Sequence, residues 1–246
     1  MPKFILLTII LFIDVGLAQV NMEYLRKKLE TDQTAGTVSF NFTIREGNSK
    51  YWKLEAEIAG GIKTFGGQLI GTGKKSDLIV NKETTDSKSF YHIRFIKDFL
   101  PQFTNEFFFQ MQDNHSSRLQ LRTLAGIGLR KSLLKNDIST VNLGTGFMSE
   151  VEKLTNENQS QLIRSTNYLS LNSNPTKKLK CTAVVYFQPA LDNMNDFRLL
   201  FDFRPSLAIT EHFTFSHKTM LRYDAFPPDN VEKLDYELAQ MIEYRF

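Results

Sequence analysis

Apolar and polar residues alternate with a period of two along nearly the whole chain from residue 36 onward. In "TVSFNFTIR" the even positions are Val38, Phe40, Phe42 and Ile44, with Thr37, Ser39, Asn41, Thr43 and Arg45 around them. In "YWKLEAEI" Trp52, Leu54, Ala56 and Ile58 fall on one side, and Lys53, Glu55 and Glu57 on the other. Phe197, Leu199, Phe201, Phe203 and Leu207 alternate with Arg198, Asp202 and Arg204. Phe213, Phe215, Leu221 and Tyr223 do the same with Thr214, Ser216, Lys218 and Arg222. Successive side chains of a strand point to opposite faces, so the pattern predicts strands with one greasy and one polar side.

Turn-forming residues cut the pattern into twelve segments: 36–46, 50–60, 65–82, 89–97, 103–112, 118–131, 138–149, 159–171, 178–188, 197–209, 213–223 and 234–246. The third, which contains "FGGQLIGTGKKSDLIV", is the least regular. The same pattern repeats without a shift in composition, which predicts a single all-β domain over 36–246. A polar leader, 19–35, precedes it, and its "MEYLRKKLET" (22–31) reads equally as a helix or as a disordered lead-in.

Alternation alone does not say whether the greasy face points inward, as in a soluble sandwich, or outward to lipid. Length favours lipid: most segments reach 10 or more residues. Globular strands average roughly 5–6 residues, whereas a membrane-crossing strand needs roughly 9–11. The connections agree. With the last strand running toward the periplasm, "DFLPQ" (98–102), "LKND" (134–137) and "TEH" (210–212) fall on the periplasmic side. The longer "EVEKLTNENQ" (150–159), "ALDNMND" (190–196) and "DAFPPDNVEK" (224–233) fall outside. The expected fold is therefore a single antiparallel transmembrane β-barrel of about 12 strands, within a range of about 10–14. Its last strand is expected to pair with its first, because an unpaired sheet edge is not tolerated in hydrocarbon.

The N-terminus supports export. Lys3, the apolar run from Phe4 to Ile13 and the small-x-small Gly16-Leu17-Ala18 form a signal peptide over residues 1–18, with a mature chain beginning at Gln19. The expected location is the bacterial outer membrane. Cys181 is the only cysteine, so no intramolecular disulfide is available.

The C-terminus "LDYELAQMIEYRF" places Ile242, Tyr244 and Phe246 at two-residue steps. This ending resembles the signal read by the machinery that inserts outer-membrane barrels, and it implies that machinery and outer-membrane lipid as partners. Four stretches also resemble one family: "TIREGN" (43–48), "LRTLAGIGLRKSL" (121–133), "LDNMNDFRLLFDFRPSLAIT" (191–210) and "RYDAFPPDNVEKLDYELAQMIEYRF" (222–246). They are similar to the salt-induced outer-membrane proteins grouped as domain of unknown function 481. There a Tyr-Asp near a Pro-Pro pair leads into a final strand with an Asp near its start and Phe at its end. Tyr223, Asp224, Pro227, Pro228, Asp235 and Phe246 take those places here. The resemblance implies an outer-membrane barrel and brings no activity with it.

If the greasy face points outward, the charged residues line the bore. Arg45, Glu55, Arg122, Arg198, Asp202, Arg204, Arg222 and Glu237 are the lumen candidates, with Lys53, Glu57, Arg94, Glu106, Arg130, Arg164, Lys218 and Glu243 also inward. Unpaired charges in a confined bore are costly, so a self-neutralising plug of ion pairs is expected ahead of an open passage. Tyr168, Tyr186, Tyr223 and Tyr244 fit aromatic girdles at the bilayer interfaces.

Composition and motifs narrow the chemistry further. A net charge of +3 gives no support for a nucleic-acid partner. "GTGKKS" (71–76) reads as a turn rather than a phosphate loop, and four scattered histidines suggest neither a metal nor another cofactor. His115 and Ser117 in "DNHSS" could form a base and nucleophile, but they sit where an external turn is predicted. Three functions are carried forward. The first is a non-enzymatic barrel with a structural or envelope-associated role, the second a narrow porin-like solute channel, and the third an outer-membrane lipid hydrolase.

Overall fold

The computed structural model describes residues 23–45, 51–80, 83–155, 159–210, 213–229 and 231–244; side chains at 23–24, 37, 39–45, 51, 83, 237, 239 and 241–244 lie outside the description. One helix, α1 (Glu23–Thr31), precedes twelve strands. These are β1 (Thr34–Arg45), β2 (Tyr51–Thr64), β3 (Gly67–Val80), β4 (Glu83–Leu100), β5 (Phe103–Asn114), β6 (Leu119–Lys135), β7 (Ser139–Leu154), β8 (Ser160–Ser173), β9 (Leu179–Pro189), β10 (Phe197–Ala208), β11 (Phe213–Asp224) and β12 (Leu234–Tyr244). They run from 11 residues (β9, β12) to 18 (β4), so each can cross a bilayer at a tilt. The signal-peptide residues 1–18 and Phe246 lie outside the described residues, whereas Ile242 and Tyr244 are paired in β12 opposite Phe215 and Phe213.

All pairings are antiparallel and follow chain order, β1 beside β2 through to β11 beside β12. The twelve predicted segments correspond one to one with the strands. Several are longer than expected, two of them by four residues or more. β4 begins at Glu83 rather than 89, and β7 continues to Leu154, so half of the predicted loop 150–159 is strand. The stretch read as irregular resolves into a tight turn followed by a continuous strand. Phe65 (φ 52°) and Gly66 (φ 69°) are both left-handed, as a two-residue hairpin turn matched to strand twist requires, and β3 runs on from Gly67. The β4–β5 turn uses Pro101 followed by Gln102 at φ 68°.

The expected β12–β1 ladder is not found: among the described residues the two end strands are not hydrogen-bonded to each other, and the curled sheet is open at that seam. The described structure is thus the wall of a twelve-stranded barrel opened along one line. Hydrocarbon would demand that both of these edges be covered.

The faces separate as the alternation predicts. Trp52, Ile58, Tyr91, Phe107, Phe147, Ile163 and Tyr236 project outward and are exposed, while Arg94, Glu106, Gln110, Glu150, Arg164 and Asp202 are buried on the inner face. Water would drive such a sheet to fold the other way, whereas lipid solvates the apolar outside and leaves the polar groups to pair within. α1 lies against the inner face of β1–β3. Its Leu25 and Leu29 pack with Ile70 and Ile96, and with Ala35 and Ala59 beside them. Gly61 is what permits this seat: a Cβ there would lie 2.6 Å from Leu29 Cδ1. Residues 23–31 of the leader are therefore helical and lie inside the wall.

Candidate functional site

Two glutamates organise the lumen. Glu150 on β7 is the centre of the first cluster. Arg164 on β8 donates through Nε to its Oε1 (3.1 Å), Arg198 on β10 donates to Oε2, and Arg122 Nε on β6 stands 3.8 Å from Oε2. Glu152, on the same face two residues later, pairs with Arg122 and accepts from Arg198 Nη2 (3.3 Å). The third nitrogen of Arg198, Nε, donates to Asp224 Oδ2 on β11 (2.8 Å). Arg164 Nη1 lies 2.9 Å from Asp196 Oδ1 and donates to the Gln188 carbonyl (3.3 Å). The side chains of Arg164 and Glu150 are 1% and 2% exposed. Charges so buried persist because each is matched, and breaking one partner of such a pair leaves an uncompensated charge behind.

Glu106 on β5 is the centre of the second cluster. Arg26 Nη1, from α1, donates to its Oε1 (2.9 Å); Arg94 Nη1 donates to Oε2 (3.4 Å); Arg130 Nη1 lies 3.8 Å from Oε1. Tyr168 Oη donates to Oε2 (2.9 Å). The Tyr168 ring occupies the space left by Gly144 on β7, where a Cβ would lie 2.1 Å from the ring. Two buried apolar groups also lie on the inner face: Phe108, Leu124 and Met148 in one, and Tyr168, Val184, Tyr186, Leu200 and Met220 in the other.

The β1–β3 side is different. Glu55 is met by Lys53 (3.3 Å) and Lys74 (3.9 Å), and the three side chains are 17–23% exposed. Water reaches them. At the end of the bore away from α1, Arg118 donates to the carbonyls of Asp229 (3.1 Å) and Thr155 (3.2 Å), tying three connections together. A cavity of about 80 Å³ lies beneath them, and Tyr223, Asp224, Pro227, Pro228 and Asp235 of the C-terminal pattern all line it.

The lumen candidates sort by region. Arg122 and Arg198 join the Glu150 cluster, and Glu55 stands on the water-accessible side. Arg204 grips Asp202 through two nitrogens (2.8 Å each). Arg222 faces Asp235 across the β11–β12 ladder and lines the mouth cavity. Arg45 and Glu237 occupy inward register positions opposite Tyr51 and Met220, with side chains outside the description.

Sequence reasoning missed Glu150, Glu152 and Arg26. The first two fall in a stretch whose composition reads as a loop, although Met148, Glu150 and Glu152 continue the inward parity with Val151 between them. The sign of Arg26 was Leu25 and Leu29, an apolar pair one helical turn apart. The girdle assignment also needs correction: Tyr168 and Tyr186 face inward and are buried, with ring centroids 5.2 Å apart. Register overrides residue type here, because Gly144 leaves Tyr168 a slot on the inner face. Tyr223 does face outward, beside Phe197. His115 is exposed in the 115–118 connection, and Ser117 Oγ accepts a hydrogen bond from Asn114 Nδ2 (2.6 Å).

Two solved structures share this architecture. One, titled "KdgM porin", covers 86% of this chain and 99% of its own at 8% identity and a TM-score of 0.50. The other, titled "NanC porin structure in rhombohedral crystal form", covers 87% and 98% at 7% identity and a TM-score of 0.53. At such identities the likeness is one of fold. No curated protein matches the chain. The family profile described as "Protein of unknown function, DUF481" matches residues 23–246, and the chain, a twelve-stranded barrel with a charge-filled lumen, belongs to that family.

Proposed function

We propose that the protein is a non-enzymatic β-barrel of the bacterial outer membrane whose bore is shut at rest, with a structural or envelope-associated role. The observation that carries this reading is the pair of buried glutamates, each met by three arginines. The Glu150 cluster draws its charges from β6, β7, β8, β10 and β11, and so braces the inside of the wall rather than leaving it open. Export by the 1–18 signal and insertion through Ile242, Tyr244 and Phe246 complete the reading; the N-terminal apolar run, the outward apolar face and the C-terminal alternation support it. The test is conductance of the refolded mature chain in a planar bilayer. The expected result is no steady current above leak, and a stable open level would overturn it.

A second reading, a narrow solute channel, is favoured by one observation. The side chains of Lys53, Glu55 and Lys74 on the inner face are 17–23% exposed, where Glu150 and Arg164 at the centre of the first cluster are 2% and 1% exposed.

A further inference from the structure

We propose that α1 is a removable plug at the foot of a water-accessible lane along the inner face of β1–β3, so that its release turns the closed barrel into a conducting one. The proposal rests on the closed state argued above and adds the element that ends it.

The lane is defined by contrast. On β2 and β3 the inward side chains of Lys53, Glu55 and Lys74 are 17–23% exposed to solvent, with the smaller Ser76 buried beside Glu55. Continuing toward α1, the inward positions are Ala59 and Thr72, then Gly61 and Ile70, and Ile70 is fully covered. The cover is α1, through Leu25 and Leu29. Remove it and Ala59, Gly61 and Ile70 lose the two leucines that cover them, leaving Ile96 of β4 beside them. The wall is built to receive the helix, not to replace it.

α1 is also held by ties that can all be undone together. It is nine residues long and is joined to β1 through Asp32 and Gln33 alone. Helices shorter than roughly 12–15 residues are marginal in water. α1 is therefore helical because it is seated, and leaving the seat returns its chain to the coil. Besides the two leucines, it is held by Arg26 on Glu106 and Thr104 and by Lys63 Nζ on the Glu30 carbonyl (3.0 Å). Lys27, Lys28 and Glu30 are exposed, so one side of the helix already faces water. When Arg26 leaves, Glu106 keeps Arg94, Arg130 and Tyr168, and no carboxylate is stranded.

The experiment compares three chains in planar bilayers: the mature chain, the chain lacking 19–33, and Gly61→Val. The last keeps a good strand former in β2 but places side-chain atoms where Leu29 sits. All three carry Cys181→Ser and Ala59→Cys, so that a charged, membrane-impermeant thiol reagent reports whether the seat is covered. Folding is checked by heat-dependent migration on gels. The mature chain is expected to be silent and slowly labelled. The other two are expected to label at least tenfold faster and to show discrete current steps. Equal currents from folded mature and altered chains overturn the proposal, and so does rapid labelling without current. A mature chain that conducts refutes the closed resting state instead, and α1 is then judged by whether its loss raises the current further.

Discussion

The β4–β10 sector and the β1–β3 sector of the same sheet keep their inner faces in opposite ways. In the first, large and charged side chains from the wall meet one another; in the second, the described lining is a looser Lys53–Glu55–Lys74 group and the small Ala59 and Gly61, and a separate helix covers its foot. The contrast is sharpest between the two glutamates. All three arginines on Glu150 belong to strands, whereas one of the three on Glu106 arrives on α1. The same arrangement of one carboxylate among guanidiniums serves as a permanent brace in one place and as a detachable clasp in the other. A brace must be unfolded to be opened. A clasp needs only its helix to leave.

The largest effect expected from breaking this contrast is at the brace. Glu150→Gln keeps the size of the side chain but removes the charge to which Arg164 and Arg198 both donate. Breaking one partner of a buried pair costs about 3–5 kcal/mol. Urea unfolding of the barrel in lipid vesicles should show a loss of that size. Glu106→Gln should cost less, because Tyr168 still donates to the amide oxygen and Arg26 can return to water with α1. Equal losses at the two sites would remove the distinction between brace and clasp.

How much of this was legible beforehand follows from what each feature depends on. Strand number, strand order and the parity of nearly every charged residue were readable because they rest on a period of two that is local to the sequence. Parity alone places Arg122 and Arg198 on the inward face, and in the structure both reach Glu150. Their partner Glu150 is hidden because "EVEKLTNENQ" is rich in loop-forming residues, whose composition masks the parity that runs on through Glu152. Tyr168 was lost for a different reason. A tyrosine on a membrane strand suggests a girdle, and only the facing Gly144, on the neighbouring strand in the folded sheet, shows that the ring has room inside. The seam between β1 and β12 was predicted from the demands of a bilayer rather than from any residue, and no ladder joins those strands in the described sheet.

A smaller effect tests that slot. Gly144→Ala puts a methyl group where the Tyr168 ring stands and forces the ring to move. Overpacking of this kind costs about 1–3 kcal/mol. The movement also takes Tyr168 Oη away from Glu106, so the variant should unfold at lower urea while α1 stays seated, as judged by slow labelling of a cysteine at Ala59. Fast labelling would mean that the tyrosine, and not only Arg26 and the two leucines, holds the helix.

The smallest effect separates seat from clasp. The Arg26 side chain is 14% exposed, at the edge of the wall, and its removal leaves Glu106 with two arginines and a tyrosine. Arg26→Ala should therefore change global stability by less than about 1 kcal/mol, the range for ion pairs that water can screen. Its consequence should appear in the opening of α1 alone: faster labelling at a cysteine replacing Ala59, with the urea midpoint of the barrel almost unmoved. That pattern follows because, among the described side chains, Arg26 is the one on the helix that pairs with a charged group of the wall, while the wall's own glutamate remains satisfied without it. If Arg26→Ala instead lowered the unfolding midpoint as far as Glu150→Gln does, the helix would be an integral part of the barrel's folding core, and Glu106 would be a brace like Glu150.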